Sequence, residues 1–239
     1  MTAAPRLRIA TANIACALDR ESARECLDAV LAENPDVVLL QEWALKRLAI
    51  LRGSGSISVV APVALGEFGA GPYRWFAPAT GGCAVGIMRE RFNDARARLR
   101  SLSLPGWSEG QLLQPGRTAL EIRATDGTSK QSVAFVSYHL VSGAHHEGHY
   151  LLDRPHQVAR HRHEHARLQR IIDRARGSRD VYAGGDANSE TMEIAGMISA
   201  WRCLPDPPRR VDSIFAARNA EAIDQIETAS DHRAVVVDF

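Results

Sequence analysis

The chain has 239 residues, 45% apolar and 24% charged, the balance of an ordinary globular protein large enough to bury its own core. A formal net charge of +1 gives no global field that demands a polyanionic partner, and no window is apolar enough to span a bilayer or anchor the chain in one. Cys16, Cys26, Cys83 and Cys203 form no C-x-x-C pair, which argues against a zinc knuckle or a thioredoxin-like centre. The residues before Arg6 carry no long apolar stretch ahead of a small-residue cleavage site, so the expectation is no signal peptide and a cytoplasmic location. The basic charge is almost wholly arginine, with Lys46 and Lys130 the lysines, and reads as a compositional bias.

In chain order, residues 6–12 alternate roughly and predict a strand. Ala23, Cys26, Leu27, Val30 and Leu31 fall at helical spacing within 21–33, and Asn34-Pro35 ends that helix. The run Val37-Val38-Leu39-Leu40 reads as a strand covered on both faces. Gly53 to Gly82 is rich in Gly, Ser and Pro and predicts loops with one short strand around Tyr73–Phe76. Strands are expected at 83–88, 96–103, 117–123 and 132–140. A helix should begin near Pro155 and run to about Arg176. Val181-Tyr182-Ala183 is a short buried strand, a short helix is expected after Ser189, and 211–216, 222–228 and 233–239 read as further strands. Helices interleave with strands early, and later strands follow one another directly. That mixture predicts one domain over 1–239, a four-layer α/β/β/α sandwich with two packed, mostly antiparallel sheets.

Apolar runs repeatedly end in residues with metal or proton chemistry. The first strand ends at Asn13 and the second in Gln41-Glu42. The strand 132–138 ends at His139. Val181-Tyr182-Ala183 leads through two glycines to Asp186-Ala187-Asn188. Val211 precedes Asp212, and Ser230-Asp231-His232 precedes the last strand. Any one of these alone is a solvated cap or a turn. Strand ends in a layered α/β protein converge on one crevice, and six such segments together point to a single polar centre.

In order and wording these segments resemble the endonuclease/exonuclease/phosphatase superfamily, with its DNase I-like fold. They are Thr11-Ala12-Asn13-Ile14, Leu39-Leu40-Gln41-Glu42, Ser137-Tyr138-His139-Leu140, Gly185-Asp186-Ala187-Asn188-Ser189, Val211-Asp212-Ser213-Ile214-Phe215 and Ser230-Asp231-His232-Arg233-Ala234-Val235. Gly116-Arg117-Thr118-Ala119-Leu120 looks like the family's central strand. The chain departs from the pattern at Ala12, where the family is commonly aromatic, and at Ala15, where its nuclease branch has an acid.

The resemblance implies a phosphoester hydrolase dependent on a divalent cation. Hard carboxylate and amide oxygens select Mg²⁺ or Mn²⁺ over zinc. Glu42 is the expected first ligand, with Asn13 and Asp231 near it. Asp186 is expected to orient or deprotonate the attacking water, and Asn188 to help hold the water or the phosphate. Asp212 would fix the tautomer of His232 and favour its charged form. That imidazole acts either as general base or as a donor to phosphoryl oxygens. His139 would donate to a non-bridging oxygen. Arg117 does likewise or packs in a strand pair.

Eight of nine histidines lie between His139 and His165. His161 and His165, one helical turn apart, belong to a helix that reads as solvated and rich in arginine. The loop residues His145, His146 and His149 follow His139 closely enough to reach a substrate. Trp107 stacks on a base or ring, or anchors its loop. Three functions stay open: a phosphodiesterase or nuclease-like enzyme whose phosphoester substrate includes nucleic acid; a hydrolase of a small phosphate ester such as a nucleotide, inositol phosphate or lipid head group; and an inactive member that binds a partner. Substrate choice resides in loops carried on a shared fold.

Overall fold

A computed structural model describes residues 6–15, 17–43, 58–60, 65–78, 81–107, 109, 113–177, 179–206 and 210–239. The first sheet holds β1 (Arg8–Asn13), β2 (Val37–Trp43), β3 (Ser58–Val60), β4 (Leu65–Ala70), β5 (Tyr73–Pro78) and β6 (Gly82–Met88), with β17 (Ala222–Ile226) and β18 (Ala234–Asp238) from the end of the chain. Its order is β17-β18-β1-β2-β6-β5-β4-β3. The second sheet holds β7 (Phe92–Ser101), β10 (Thr118–Asp126), β11 (Ser132–His139), β14 (Asp180–Asp186), β15 (Ile198–Ser199) and β16 (Asp212–Ala216), in the order β15-β16-β14-β11-β10-β7. Two small ribbons complete the described strands: β8 (Gly106–Trp107) with β9 (Leu113–Gln114), and β12 (His145–His146) with β13 (His149–Tyr150).

Alternation along the central strands builds the layers. Ile9, Leu39, Val85, Leu120, Ile122, Phe135, Ile214 and Val235 meet between the sheets. The intervening Ala10, Val38, Leu40 and Val236 face outward under Cys26, Leu27 and Val30 of helix α1 (Arg20–Ala32). On the other side, Ala134, Val136, Tyr138 and Val181 lie under Leu168, Ile171, Ile172 and Ala175 of helix α2 (Pro155–Arg176). The result is the expected α/β/β/α sandwich. Asp19 caps α1 by accepting from the Ser22 amide at 2.8 Å, and Asn34, at φ +51°, ends it in the left-handed conformation an asparagine tolerates.

Pairing is antiparallel except at the centre of each sheet, where β1 runs parallel to β2 and β11 parallel to β14. Parallel neighbours need a crossover, and α1 and α2 supply them. The two sheets approach closely at Gly184, where a Cβ would stand 2.7 Å from Leu39 Cδ1. At Gly185 it would stand 1.9 Å from the Tyr138 carbonyl oxygen, so the chain requires glycine there.

Two expectations are corrected. The stretch Gly53–Gly82 holds three strands among its described residues, β3 to β5, not one; the part over 53–57, 61–64 and 79–80 lies outside them. No helix follows Ser189. The Ala195 amide donates to Gln169 Oε1 at 2.8 Å and its carbonyl accepts from Arg176 Nη1 at 2.8 Å. Side chains of α2 therefore take the backbone groups a helix would have used. The nearby helical turn is a 3₁₀ turn at Ala200–Cys203. No described helix is long and apolar enough to cross a membrane.

Candidate active site

The parallel pairs deliver strand ends to one edge. In the first sheet Asn13 pairs with Gln41, and in the second His139 pairs with Asp186, which also faces Asp212 across the antiparallel pair. Beside them, pairing of β2 with β6 slips between Leu40 and Trp43. The extra residue forms a bulge, and Glu42 sits in it at φ +56°. A left-handed glutamate carries backbone strain, and here the strained residue turns its carboxylate toward the second sheet.

Asn13 joins the two acids. Its Nδ2 donates to Asp186 Oδ2 at 3.0 Å and Glu42 Oε1 at 3.4 Å, while its Oδ1 accepts from the Ala15 amide at 3.0 Å. Asn13 therefore shows the acids its nitrogen. The other Asp186 oxygen accepts from the Asn188 amide at 2.7 Å, and the Asn188 side chain donates to the Leu140 carbonyl at 3.0 Å. Burial, reinforced by the Asp212 charge, pushes the Asp186 carboxyl up to about 7.

The two imidazoles are in opposite states. His139 is buried, and Arg117 Nη1 lies 3.0 Å from its Nδ1. A guanidinium only donates, so Nδ1 accepts and Nε2 carries the proton. Burial and then the Arg117 charge bring His139 down to about 3, so the ring is neutral. Its Nε2 stands 3.5 Å from Asp186 Oδ2 and 3.9 Å from Glu42 Oε1. His232 Nδ1 lies 2.7 Å from Asp212 Oδ2 and its Nε2 lies 3.9 Å from Asp186 Oδ2. The hydrogen bond that His232 donates to Asp212 raises the ring to about 9 against the opposing effect of burial, so this ring is charged at neutral pH.

Atoms of Asp186, Asp212 and His232 lie within 4.8 Å of one another. The 2.7 Å contact inside that group is a hydrogen bond that engages His232 Nδ1. A hard cation fits the neighbouring acids. Glu42 and Asp186 share one amide nitrogen, Asp212 Oδ1 is buried without a hydrogen-bond partner, and burial raises both aspartates. Gathered negative charge of this kind is what a divalent ion offsets. Asp231 is exposed at the rim beside His232, where it accepts from Ser230 Oγ at 3.2 Å.

The remaining residues divide. Arg117 touches His139. His145 is half-buried, its ring centroid 3.9 Å from that of Tyr150, and its Nδ1 is 3.4 Å from Ser189 Oγ. His146 and His149 are exposed on the ribbon β12–β13, whose turn uses Glu147 and Gly148 at positive φ. Trp107 is 67% exposed, beside exposed Leu104 and Leu113, so it is no core anchor. The solvated reading of α2 is corrected at His161 and Glu164, which are 1% and 0% exposed. Sequence reasoning missed both as site neighbours. The signal was available: 161, 164, 168, 171, 172 and 175 form one helical face.

This architecture defines a fold class, the DNase I-like α/β/β/α sandwich. Three solved structures share it. A humanized D. rerio TDP2 carrying 14 mutations is 18% identical, with 98% of each chain covered and a TM-score of 0.71. An endonuclease/exonuclease/phosphatase from Bacteroides vulgatus is 15% identical, with 98% of each chain covered and a TM-score of 0.68. The human Nocturnin catalytic domain with bound sulfate is 18% identical, covering 98% of this chain and 93% of that one, with a TM-score of 0.63. No protein-family model matches the sequence, and no curated protein does.

Proposed function

We propose that this chain is a single-domain, Mg²⁺- or Mn²⁺-dependent phosphoester hydrolase acting on phosphodiesters, nucleic acid among them. The observation that carries the reading is the convergence of Glu42 and Asp186 on Asn13 Nδ2, with the Nε2 atoms of His139 and His232 both turned to Asp186 Oδ2. Glu42 is the first ligand for the cation. Asn13 clamps it against Asp186, and Asp231 completes the acidic rim. A bound cation would neutralise charge on the phosphate and stabilise the leaving oxygen.

The chain's own groups divide the remaining work. Asp186, poised near neutrality, takes the proton of the attacking water as the oxygen bonds to phosphorus and the ester bond breaks. Asn188 fixes Asp186 in place. Charged His232, held by Asp212, donates to a phosphoryl oxygen. Neutral His139, its tautomer set by Arg117, donates to another, so the donors stand ready before charge develops. His145, His146, His149 and Trp107 line the approach of the substrate. A cytoplasmic location is part of this reading, supported by the free thiols of Cys83 and Cys203.

The fold likeness to a TDP2 solved in complex with single-strand DNA product (D. rerio, 17% identical, TM-score 0.64) supports a diester substrate. The test is hydrolysis of plasmid DNA, single-stranded RNA, a bis-aryl phosphate and simple phosphomonoesters, with Mg²⁺, Mn²⁺ or EDTA. Metal-dependent diester cleavage is expected. Monoester turnover alone moves the assignment to a small-molecule phosphatase, and inactivity on every substrate with both metals refutes it.

A further inference from the structure

Helix α2 ties itself to the active centre through three residues on one face. Glu164 Oε2 accepts from the Val141 amide at 2.7 Å, and its Oε1 accepts from Ser103 Oγ at 2.6 Å and Arg160 Nε at 2.9 Å. Ser103 Oγ in turn accepts from the Arg117 amide at 3.2 Å, and Arg160 also donates to the Pro115 carbonyl. Glu164 and Arg160 thus brace the backbone beside His139 and Arg117.

His161 reaches the third site segment. Its Nε2 is 2.8 Å from the Ala187 carbonyl oxygen. A carbonyl only accepts, so Nε2 carries the proton. Its Nδ1 is 3.3 Å from the Tyr150 hydroxyl, and the ring lies 5.0 Å from that of His145. Both ring nitrogens are therefore engaged.

What this contact does follows from peptide planarity. The Ala187 carbonyl and the Asn188 N–H belong to one rigid peptide unit. The N–H donates to Asp186 Oδ1 at 2.7 Å. Asn188 sits at φ +48°, in the left-handed region that asparagine visits more readily than other non-glycine residues. We infer that His161 is a positioning residue for hydrolysis: by holding the Ala187 carbonyl it sets the plane of the Ala187–Asn188 peptide, and through that N–H the orientation of the Asp186 carboxylate. His161 touches neither substrate nor reacting atoms. The chain of donation runs from imidazole through peptide to carboxylate, and each bond polarises the next.

The inference rests on the hydrolase reading, and the experiment separates the two. His161→Gln places an amide nitrogen where Nε2 stood and keeps the donor. His161→Asn ends too short, and His161→Leu keeps bulk without a donor. Folding is checked by circular dichroism, and Asn188 amide exchange is read by NMR beside diester turnover. His161→Leu and His161→Asn are expected to lose kcat by roughly ten- to a hundredfold, the scale of a reacting group displaced by about an ångström. KM stays within about twofold, because the substrate contacts are untouched. Asn188 exchange accelerates in the same two variants. His161→Gln restores both readouts. Wild-type kcat in His161→Asn, or a His161→Gln protein as slow as His161→Asn, overturns the inference. If the wild-type protein hydrolyses nothing, the hydrolase reading falls, and Asn188 exchange alone still decides whether His161 sets that peptide.

Discussion

Replacing Asp212 by Asn removes the charge that faces His232 Nδ1 at 2.7 Å while keeping shape. In the wild-type protein the imidazole is raised from 6.5 to about 9, with that hydrogen bond the largest cause. The rise is equivalent to about 3 kcal/mol of preference for the charged ring. The His232 side chain keeps 23% exposure, so solvent screening reduces the usable part to about 2 kcal/mol. Because the folded value lies above the unfolded one, this stabilisation is fully present below 6.5 and is lost as pH rises through about 9. In Asp212→Asn, burial acts against the charged ring with only Asp186 and Asp231 left to favour it, and His232 should titrate near or below 6.5. The assay is an NMR titration of the ring in metal-free protein, with Tm measured at pH 6 and pH 10. The variant's Tm at pH 6 should fall by about 4–8 °C, and most of the gap should close at pH 10. A variant whose His232 still titrates near 9 refutes the pairing as the cause.

Glu42→Ala should abolish metal-dependent turnover and bind Mn²⁺ more weakly by calorimetry; a fully active variant removes Glu42 from the centre. Because Glu42 sits at φ +56°, Glu42→Gly should be more stable than Glu42→Ala by about 1 kcal/mol in urea unfolding, and equal midpoints would count against strain at the bulge. Gly185→Ala brings a Cβ to 1.9 Å from the Tyr138 oxygen and should cost about 3 kcal/mol or more; a native-like urea midpoint would contradict that packing. Trp107→Ala should leave the Tm unchanged, since the ring is 67% exposed. It should raise KM for single-stranded nucleic acid about tenfold, the worth of one stacked base, while leaving a bis-aryl phosphate unaffected, and equal KM values on the polymer would exclude stacking.

The layers were legible because core strands and helices carry clean periods. Val37–Leu40 announced a doubly covered strand, and Pro155 marked the start of the long second helix. β4 was not, because Gly66 and Gly69 interrupt its pattern and remove the side chains that mark a strand. The turn after Ser189 was misjudged because Gln169 and Arg176, far off in sequence, take its backbone groups. At the site, residue types at strand ends were readable, but the bulge at Glu42 was not, since no glycine marks its positive φ. His161 and Glu164 were hidden by composition. Arginines around them made the helix look wet, while its apolar face, carried back one and two turns, leads to both.

The topology explains why these residues meet. In a purely antiparallel sheet, neighbouring strands end at opposite edges, so the carboxyl ends of Asn13 and Glu42, or of His139 and Asp186, would lie a strand length apart. Parallel pairing of β1 with β2 and of β11 with β14 places each couple at one edge. The antiparallel partners β16 and β18 start at that same edge, which brings Asp212 and the His232 loop to it. Such pairing requires crossover helices packed on the outer faces, and α2 crosses from the strand ending in His139 to the strand ending in Asp186. Its start therefore lies at the edge where both of those parallel strands end. A helix in that position can brace the His139 and Asp186 segments at once, and the buried face of Arg160, His161 and Glu164 is the sequence's use of that constraint.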